Sequence, residues 1–367
     1  MSQCILNNVA IRGVVGSLPG NPLSIRDVRS TLTAEEVEKI SATVGLKDLY
    51  RTTDLQTAGD LCIAAAHRLL EGLCWDPASI DGILFVTQTP DHFLPATAFI
   101  AHRELKLKDH CVAFDIGLGC SGYVYGLWVA AQFISTGSCK RVLLLAGDTI
   151  SKLISPQDKS VAVLFGDAGS ATALEFDGAA GSMAFVGGSD GSGAENLCVP
   201  GGAFRAMPCD EVFVERTDEA GNTRSQRDLA MDGLAIFNFT LQRVPPLVNA
   251  VTDLRGWQVP EVDLFLFHQA NGFILKTLAK KLKIKEEQAP INIERFGNTS
   301  MTSMPLLIAD AAANRLRSPE PTKVVVVGFG VGYSWGALAT EMRSLVTDVI
   351  QLAENKTCST RLISARS

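Results

Sequence analysis

The sequence predicts an α/β protein made of two similar halves, and three observations point to it. Short apolar runs of the kind that form strands buried on both faces return at a fixed interval. "DGILFVT" at 81–87 returns as "DLFLFHQ" at 263–269, and "RVLLLAG" at 141–147 returns as "KVVVVGF" at 323–329, so that both pairs stand 182 positions apart. Between the members of each pair lie a further extended run, a turn of small residues and a helix-like segment: "CVAFDIGLGCSGYVYGLWVAAQFI" in the first half, "INIERFGNTSMTSMPLLIADAAANRL" in the second. An offset near half of the 367 residues is the mark of an internal duplication.

The repeat divides the chain into a first half at 1–178, a second half at 179–343 and a C-terminal tail at 344–367. Within the second half, 183–230 is rich in Gly, Asp, Glu and Arg and has little periodicity. It reads as an insertion of loops over a site or its entrance. From about 343 the chain reads as a polar helix with a frayed end, dispensable for chemistry.

Composition bounds the function. A chain of 367 residues with 47% hydrophobic and 20% charged residues is globular and long enough for two domains. A net charge of -6 without a long Lys/Arg cluster excludes nucleic acid as a partner, because that affinity rests on basic patches. The start, "MSQCILNNVAIRG", lacks the charged and apolar regions of a signal peptide, and no window holds a membrane-length apolar run. A cytoplasmic protein with no membrane partner is expected. Nine cysteines, an odd number with no C-x-x-C pair, suit reduced thiols better than disulfides or a metal site.

In parallel α/β sheets ligands gather at the carboxyl ends of strands, and the runs "LFVTQTP", "RVLLLAGD", "LFLFHQAN" and "KVVVVGFG" end in polar or glycine residues. Three candidate chemical groups sit at such ends, and each admits a bland reading. Cys120, in "GLGCSG", is either a small residue in a buried turn or a thiol whose pKa is lowered by the start of the following helix. His268 is either a satisfied core histidine or an imidazole delivered to a site. Asn298, in "FGNTSM", is either a turn and capping residue or a hydrogen-bond donor to substrate. Cys120 and Asn298 occupy nearly corresponding turns of the two halves, and together the three strengthen one another.

The blocks around these residues carry a resemblance. "GCSGYVYGL", "HQAN", "FGNTSMTSMPL" and "GVGYSWGAL", together with "FGDAGSATAL" at 165–174 and "PDHFLPATA" at 90–98, resemble in content and order the signature blocks of the β-ketoacyl-ACP synthase III group of the thiolase superfamily. The resemblance implies the thiolase fold, five-layered αβαβα with two similar halves. It implies Cys120 as the nucleophile that accepts an acyl group, and His268 with Asn298 as the pair that hydrogen-bonds the extender's thioester carbonyl. The oxyanion hole is implied to consist of the backbone N–H groups of Cys120 and Val331. Val331 stands where the family has glycine, and its added side chain is expected to narrow the acyl pocket. Leu94 matches a residue given to the acyl pocket across a homodimer.

The activity so implied is acyltransferase chemistry of the ping-pong type. An acyl group passes from acyl-CoA or an acyl carrier protein to Cys120, and decarboxylative Claisen condensation with a malonyl thioester then gives a β-ketoacyl product, with no metal or other cofactor. One departure bears on the donor. The Trp and Arg that pack against coenzyme A in the family align with Lys39 and Thr43, so adenine stacking is lost and a carrier-protein donor gains weight. A specialised fatty-acid, polyketide or secondary-metabolite pathway is expected. Two other readings stay open: transfer from acyl-Cys to an oxygen or nitrogen nucleophile with His268 as base, and a non-catalytic subunit of a condensing heterodimer.

Overall fold

The computed structural model describes residues 1–353. Two sheets carry the fold. The first is built from β2 (Val9–Pro19), β3 (Gly82–Val86), β4 (Val112–Ile116), β5 (Arg141–Asp148), β6 (Ala168–Phe176) and β11 (Val346–Leu352), in the order β11-β2-β6-β5-β3-β4. The second is built from β1 (Ser2–Leu6), β7 (Met183–Ser189), β8 (Leu264–Phe267), β9 (Thr322–Gly330) and β10 (Ser334–Met342), in the order β1-β7-β10-β9-β8. The repeated runs occupy equivalent places: β3 lies parallel to β5 and β5 antiparallel to β6, while β8 lies parallel to β9 and β9 antiparallel to β10.

Alternation along each buried strand sends successive side chains into different layers. Leu84, Val86, Leu144 and Ala146 face the middle of the molecule, while Ile83, Phe85, Leu143 and Leu145 face outward. The outward set packs on α2 (Ala58–Leu73) and α3 (Thr97–Glu104). In the second sheet Leu266, Val324, Val326 and Leu338 point to the middle. Phe265, Phe267, Val325 and Val327 point outward to α5 (Gly233–Arg255) and α6 (Gly272–Leu282). Between the sheets run α4 (Gly122–Ser135) and α8 (Ser303–Ala309), which complete five layers. A helix covered by a sheet on each side has to be apolar nearly all round. That explains the run from Tyr123 to Ile134 and the wholly buried "SMPLLIA" of α8.

Three expectations from the sequence are corrected. The extended run expected at the start of "INIERFG" is instead a short helix, α7 (Ile293–Phe296), and only a single bridge between Asn298 and Phe165 survives. Asn292 donates its N–H to Gln269 Oε1 (3.1 Å), so a side chain takes the place of a strand ladder. The supposed loop at 183–189 is the strand β7, paired on both edges. Its glycines are there for packing: a Cβ at Gly187 would stand 2.6 Å from the Phe185 ring, and one at Gly188 would stand 2.7 Å from the Trp335 indole.

The third correction concerns the tail. Residues 346–352 form β11, in continuous parallel register with β2 from Val346 opposite Gly13 to Leu352 opposite Pro19. Val346, Val349 and Ile350 are β-branched and pack against the cores on the two sides of the sheet, which a polar helix would not do. The remainder of the expected frayed end, 354–367, lies outside the described residues. Because β1 joins the second sheet and β11 the first, cuts at 178 and 343 do not separate the sheets. Ending the chain after Arg343 is therefore expected to remove more than about 4 kcal/mol of stability, read as a lower midpoint in urea and a loss of soluble protein.

Candidate active site

The turn at Cys120 is dictated by close packing. β4 leads through residues 117–119 to Cys120, and α4 begins two residues later. Gly119 has no room for a Cβ, which would lie 2.2 Å from Val331 Cγ1 and 2.4 Å from Gln88 Oε1. From the other side, Gly328 and Gly330 let β9 pass against the turn: a Cβ at 330 would meet Cys120 Cβ at 2.7 Å. Ser121 Oγ lies 2.6 Å from Ser334 Oγ, which in turn donates to the Val331 carbonyl (2.8 Å). This strap ties the Val331 loop to the start of α4. The N–H groups of Val331 and of Cys120 itself are both directed at the thiol.

His268 follows β8 and is buried, with Phe329 set edge-on to its ring at 5.5 Å. Its Nδ1 stands 2.8 Å from Ser303 Oγ, the first residue of α8, and that oxygen also accepts the Gln269 N–H (3.1 Å). Since Ser303 Oγ already accepts one hydrogen bond, its own hydrogen is available to Nδ1, and this arrangement favours the neutral tautomer with its hydrogen on Nε2. Asn298 is fixed by its backbone, which bonds Leu164 O (3.0 Å) and Gly166 N (3.1 Å). Its Oδ1 accepts the Ser300 N–H (3.0 Å), and its Nδ2 reaches Ala270 O at 3.4 Å, too long to saturate the amide. Cys120, His268 and Asn298 line one narrow cavity of about 60 Å³, brought together from the carboxyl end of β8 and the approaches to α4 and α8.

Burial sets the electrostatics. It pushes the Cys120 thiol up to about 11, with the N–H of Val331 pulling down and the Asp148 carboxylate pushing up. The expectation that the helix start leaves this thiol with a lowered pKa is thus overturned for the resting protein, because desolvation of the thiolate outweighs the nearby donors. Burial likewise lowers His268 to about 4, so the imidazole is neutral at physiological pH. Asp148 is wholly buried and accepts from Gln88 N (2.8 Å), Gln88 Nε2 (3.0 Å), Thr87 Oγ1 (3.1 Å) and Thr89 Oγ1 (3.3 Å). Gln88 Nε2 also donates to Ser300 Oγ (3.2 Å) and so links this network to the Asn298 turn.

Beyond the thiol a wider cavity of about 460 Å³ opens, walled by Ile150, Leu153, Phe165, Leu197 and Leu229. Val331 lines it beside Cys120, and the segment 194–203 closes one side, as expected of the loop-rich stretch. Leu94 is 86% exposed and does not line this cavity in its own chain. Lys39 and Thr43 are exposed on α1 (Ala34–Val44), whose end lies against the start of α6: a Cβ at Gly272 would meet Val44 O at 2.7 Å.

Sequence reasoning missed Ser303, Gln88 and Asp148. The last two end apolar runs already noted for their polar ends, and that signal was sufficient to flag them. Among the described residues, no group of three or more His, Cys, Asp or Glu side chains is placed to hold a metal, and no helix is long and apolar enough to cross a membrane.

With this geometry in hand, comparisons with known proteins are specific. Residues 114–191 match the family model for 3-oxoacyl-[acyl-carrier-protein (ACP)] synthase III, and residues 253–342 match that for its C-terminal part. The chain is 32% identical over 334 residues to a beta-ketoacyl-[acyl-carrier-protein] synthase III of Streptomyces coelicolor, covering 90% of this chain and 96% of the relative. It superposes on the crystal structure of a 3-oxoacyl-(acyl-carrier protein) synthase from Burkholderia xenovorans with a TM-score of 0.90 at 43% identity, covering 96% of this chain and 99% of the other. The priming beta-ketosynthase of the R1128 polyketide biosynthetic pathway follows with a TM-score of 0.78 at 26% identity, covering 92% and 97% of the two chains. The five layers are those of the thiolase fold, and the chain belongs to the β-ketoacyl-ACP synthase III family of acyl-transferring condensing enzymes.

Proposed function

We propose that the protein condenses a Cys120-bound acyl group with a malonyl thioester in a ping-pong cycle. The observation that carries this is the convergence of Cys120, a neutral His268 and Asn298 on one cavity that opens beyond the thiol into an apolar chamber. In the first half-reaction Cys120 Sγ attacks the acyl thioester, the N–H groups of Cys120 and Val331 hold the tetrahedral oxyanion, and the donor thiol leaves. The Cys120 proton departs with that thiol, so the exchange consumes no net proton and a resting pKa of about 11 is tolerable.

In the second half-reaction Nε2–H of His268 and Nδ2–H of Asn298 donate to the malonyl thioester carbonyl. The bond to the carboxylate breaks, carbon dioxide leaves, and the electron pair moves into an enolate that these two donors stabilise. The enolate carbon attacks the acyl-Cys carbonyl, and the β-ketoacyl thioester departs as Cys120 is released. An imidazole held near 4 is a weak base and a good neutral donor, which supports decarboxylation over transfer to an alcohol or amine with His268 as general base. The acyl chain lies among Ile150, Leu153, Phe165, Leu197 and Leu229. Leu94, exposed on its own chain, reaches the partner's chamber in a homodimer. The exposed Lys39 and Thr43 offer no aromatic ring to adenine, which supports a carrier-protein donor and a specialised fatty-acid or polyketide pathway.

Incubation with acyl-carrier-protein and acyl-CoA donors should add one acyl mass to Cys120 in the intact protein, and Cys120→Ala should abolish both the adduct and product; an adduct that persists would overturn the reading. His268→Ala and Asn298→Ala should still form the adduct while carbon dioxide release from a malonyl thioester falls on the order of 100- to 1000-fold, measured with a labelled carboxyl. Because the resting thiol titrates near 11, alkylation of Cys120 by iodoacetamide should keep rising between pH 7 and pH 10 instead of levelling near neutrality. Peptide mapping across that range checks it.

A further inference from the structure

The acyl chamber is not apolar throughout. Its lining includes one charged side chain, Arg227, which stands on the segment that also supplies Leu229 to the wall. Two backbone bonds seat this segment: Gly201 N–H donates to Gln226 O (2.7 Å), and Gln226 N–H donates to Val212 O (3.1 Å). Gly202, in the left-handed region at φ +94°, runs alongside the arginine: a Cβ there would be in ordinary contact, 3.7 Å from Arg227 Cγ and Nε. The guanidinium lies over the Phe213 ring, 5.3 Å from its centroid, which limits how far it can swing away. Among the described residues no carboxylate forms an ion pair with it.

Arg227 is exposed at one border of a chamber walled mostly by apolar groups, and a guanidinium so placed is suited to a bidentate anion carried on an apolar chain. A simple alkyl acyl group would leave the guanidinium to water, whereas a terminal carboxylate would give it a charged partner. We propose that Arg227 makes the chamber selective for acyl groups that end in a carboxylate, so that the donor is the thioester of a dicarboxylic acid, the middle of its chain lying against Ile150, Leu153 and Leu197. The chemistry at Cys120 is unchanged: its sulfur takes the acyl carbon, the carrier thiol leaves with the proton, and the distal carboxylate rests on the guanidinium. This rests on the acylation of Cys120 proposed above.

The test is a competition read by intact mass, in which hexanoyl-CoA, adipoyl-CoA and the methyl ester of adipoyl-CoA, or the same groups on acyl carrier protein, are offered to the full chain. Adipoyl addition to Cys120 should exceed hexanoyl and methyl-ester addition by about tenfold, the effect of one charge-assisted pair. Arg227→Met should reverse or erase that ratio, and Arg227→Lys should restore part of it. Acylation by all three donors at similar rates, or a preference for hexanoyl, in the unmodified protein overturns the selectivity while leaving acylation of Cys120 intact. Failure of every donor to modify Cys120 would instead remove the underlying reading. The competition in the unmodified protein stands even if Arg227→Met does not fold.

Discussion

Everything in this molecule depends on enclosing two helices between two sheets. Once α4 and α8 are covered on both sides by apolar strands, neither can offer a polar face to anything. Polar groups can then gather only where the helices begin, at the ends of the strands that deliver the chain to them. Cys120 precedes α4, Asn298 lies in the turn before α8, and Ser303 at the start of α8 meets His268 at the end of β8. The duplicated architecture thus places one turn from each half at the same point, and the site is where those turns meet.

The enclosure acts on both titratable groups with one cause and two useful results. Water is excluded, so the imidazole stays neutral, and the donors of the proposed oxyanion hole act in a low-dielectric setting where they are stronger. The same desolvation keeps the resting thiol protonated in spite of the N–H groups around it. In the proposed cycle, reactivity is released by the substrate, whose arrival brings the electrophile and carries off the proton.

Much of this was legible in the sequence, for definite reasons. Buried strands such as 82–86 and 322–330 read clearly because both their faces are apolar, and their polar ends marked where chemistry would collect. Cys120, His268 and Asn298 were ambiguous singly and informative as a set. The failures have physical causes as well. Gly188 looked like a loop residue because the Trp335 indole that requires it comes from a distant part of the chain, and Gly187 because the fold turns the Phe185 ring back over it. The helix at 293–296 was not foreseen because the side chain that takes up the N–H of the preceding Asn292 comes from position 269. The thiol's pKa depended on a contest between donors and burial, and burial is a property of the fold that local spacing does not show. Arg227 lay in a stretch legible only as cover, since its place in the chamber comes from contacts with residues 201 and 212.

The exchange of end strands bears on how the molecule is made. β1 precedes the whole first sheet in the chain yet belongs to the second, and it finds its neighbour β7 only after residues 183–189 have emerged from the ribosome. β2, made next, keeps one edge unpaired until residues 346–352 have been made. Neither half can be finished as an independent body during translation. Through that interval the nascent chain carries an open β edge, the kind of surface that chaperones cover and that otherwise recruits other chains.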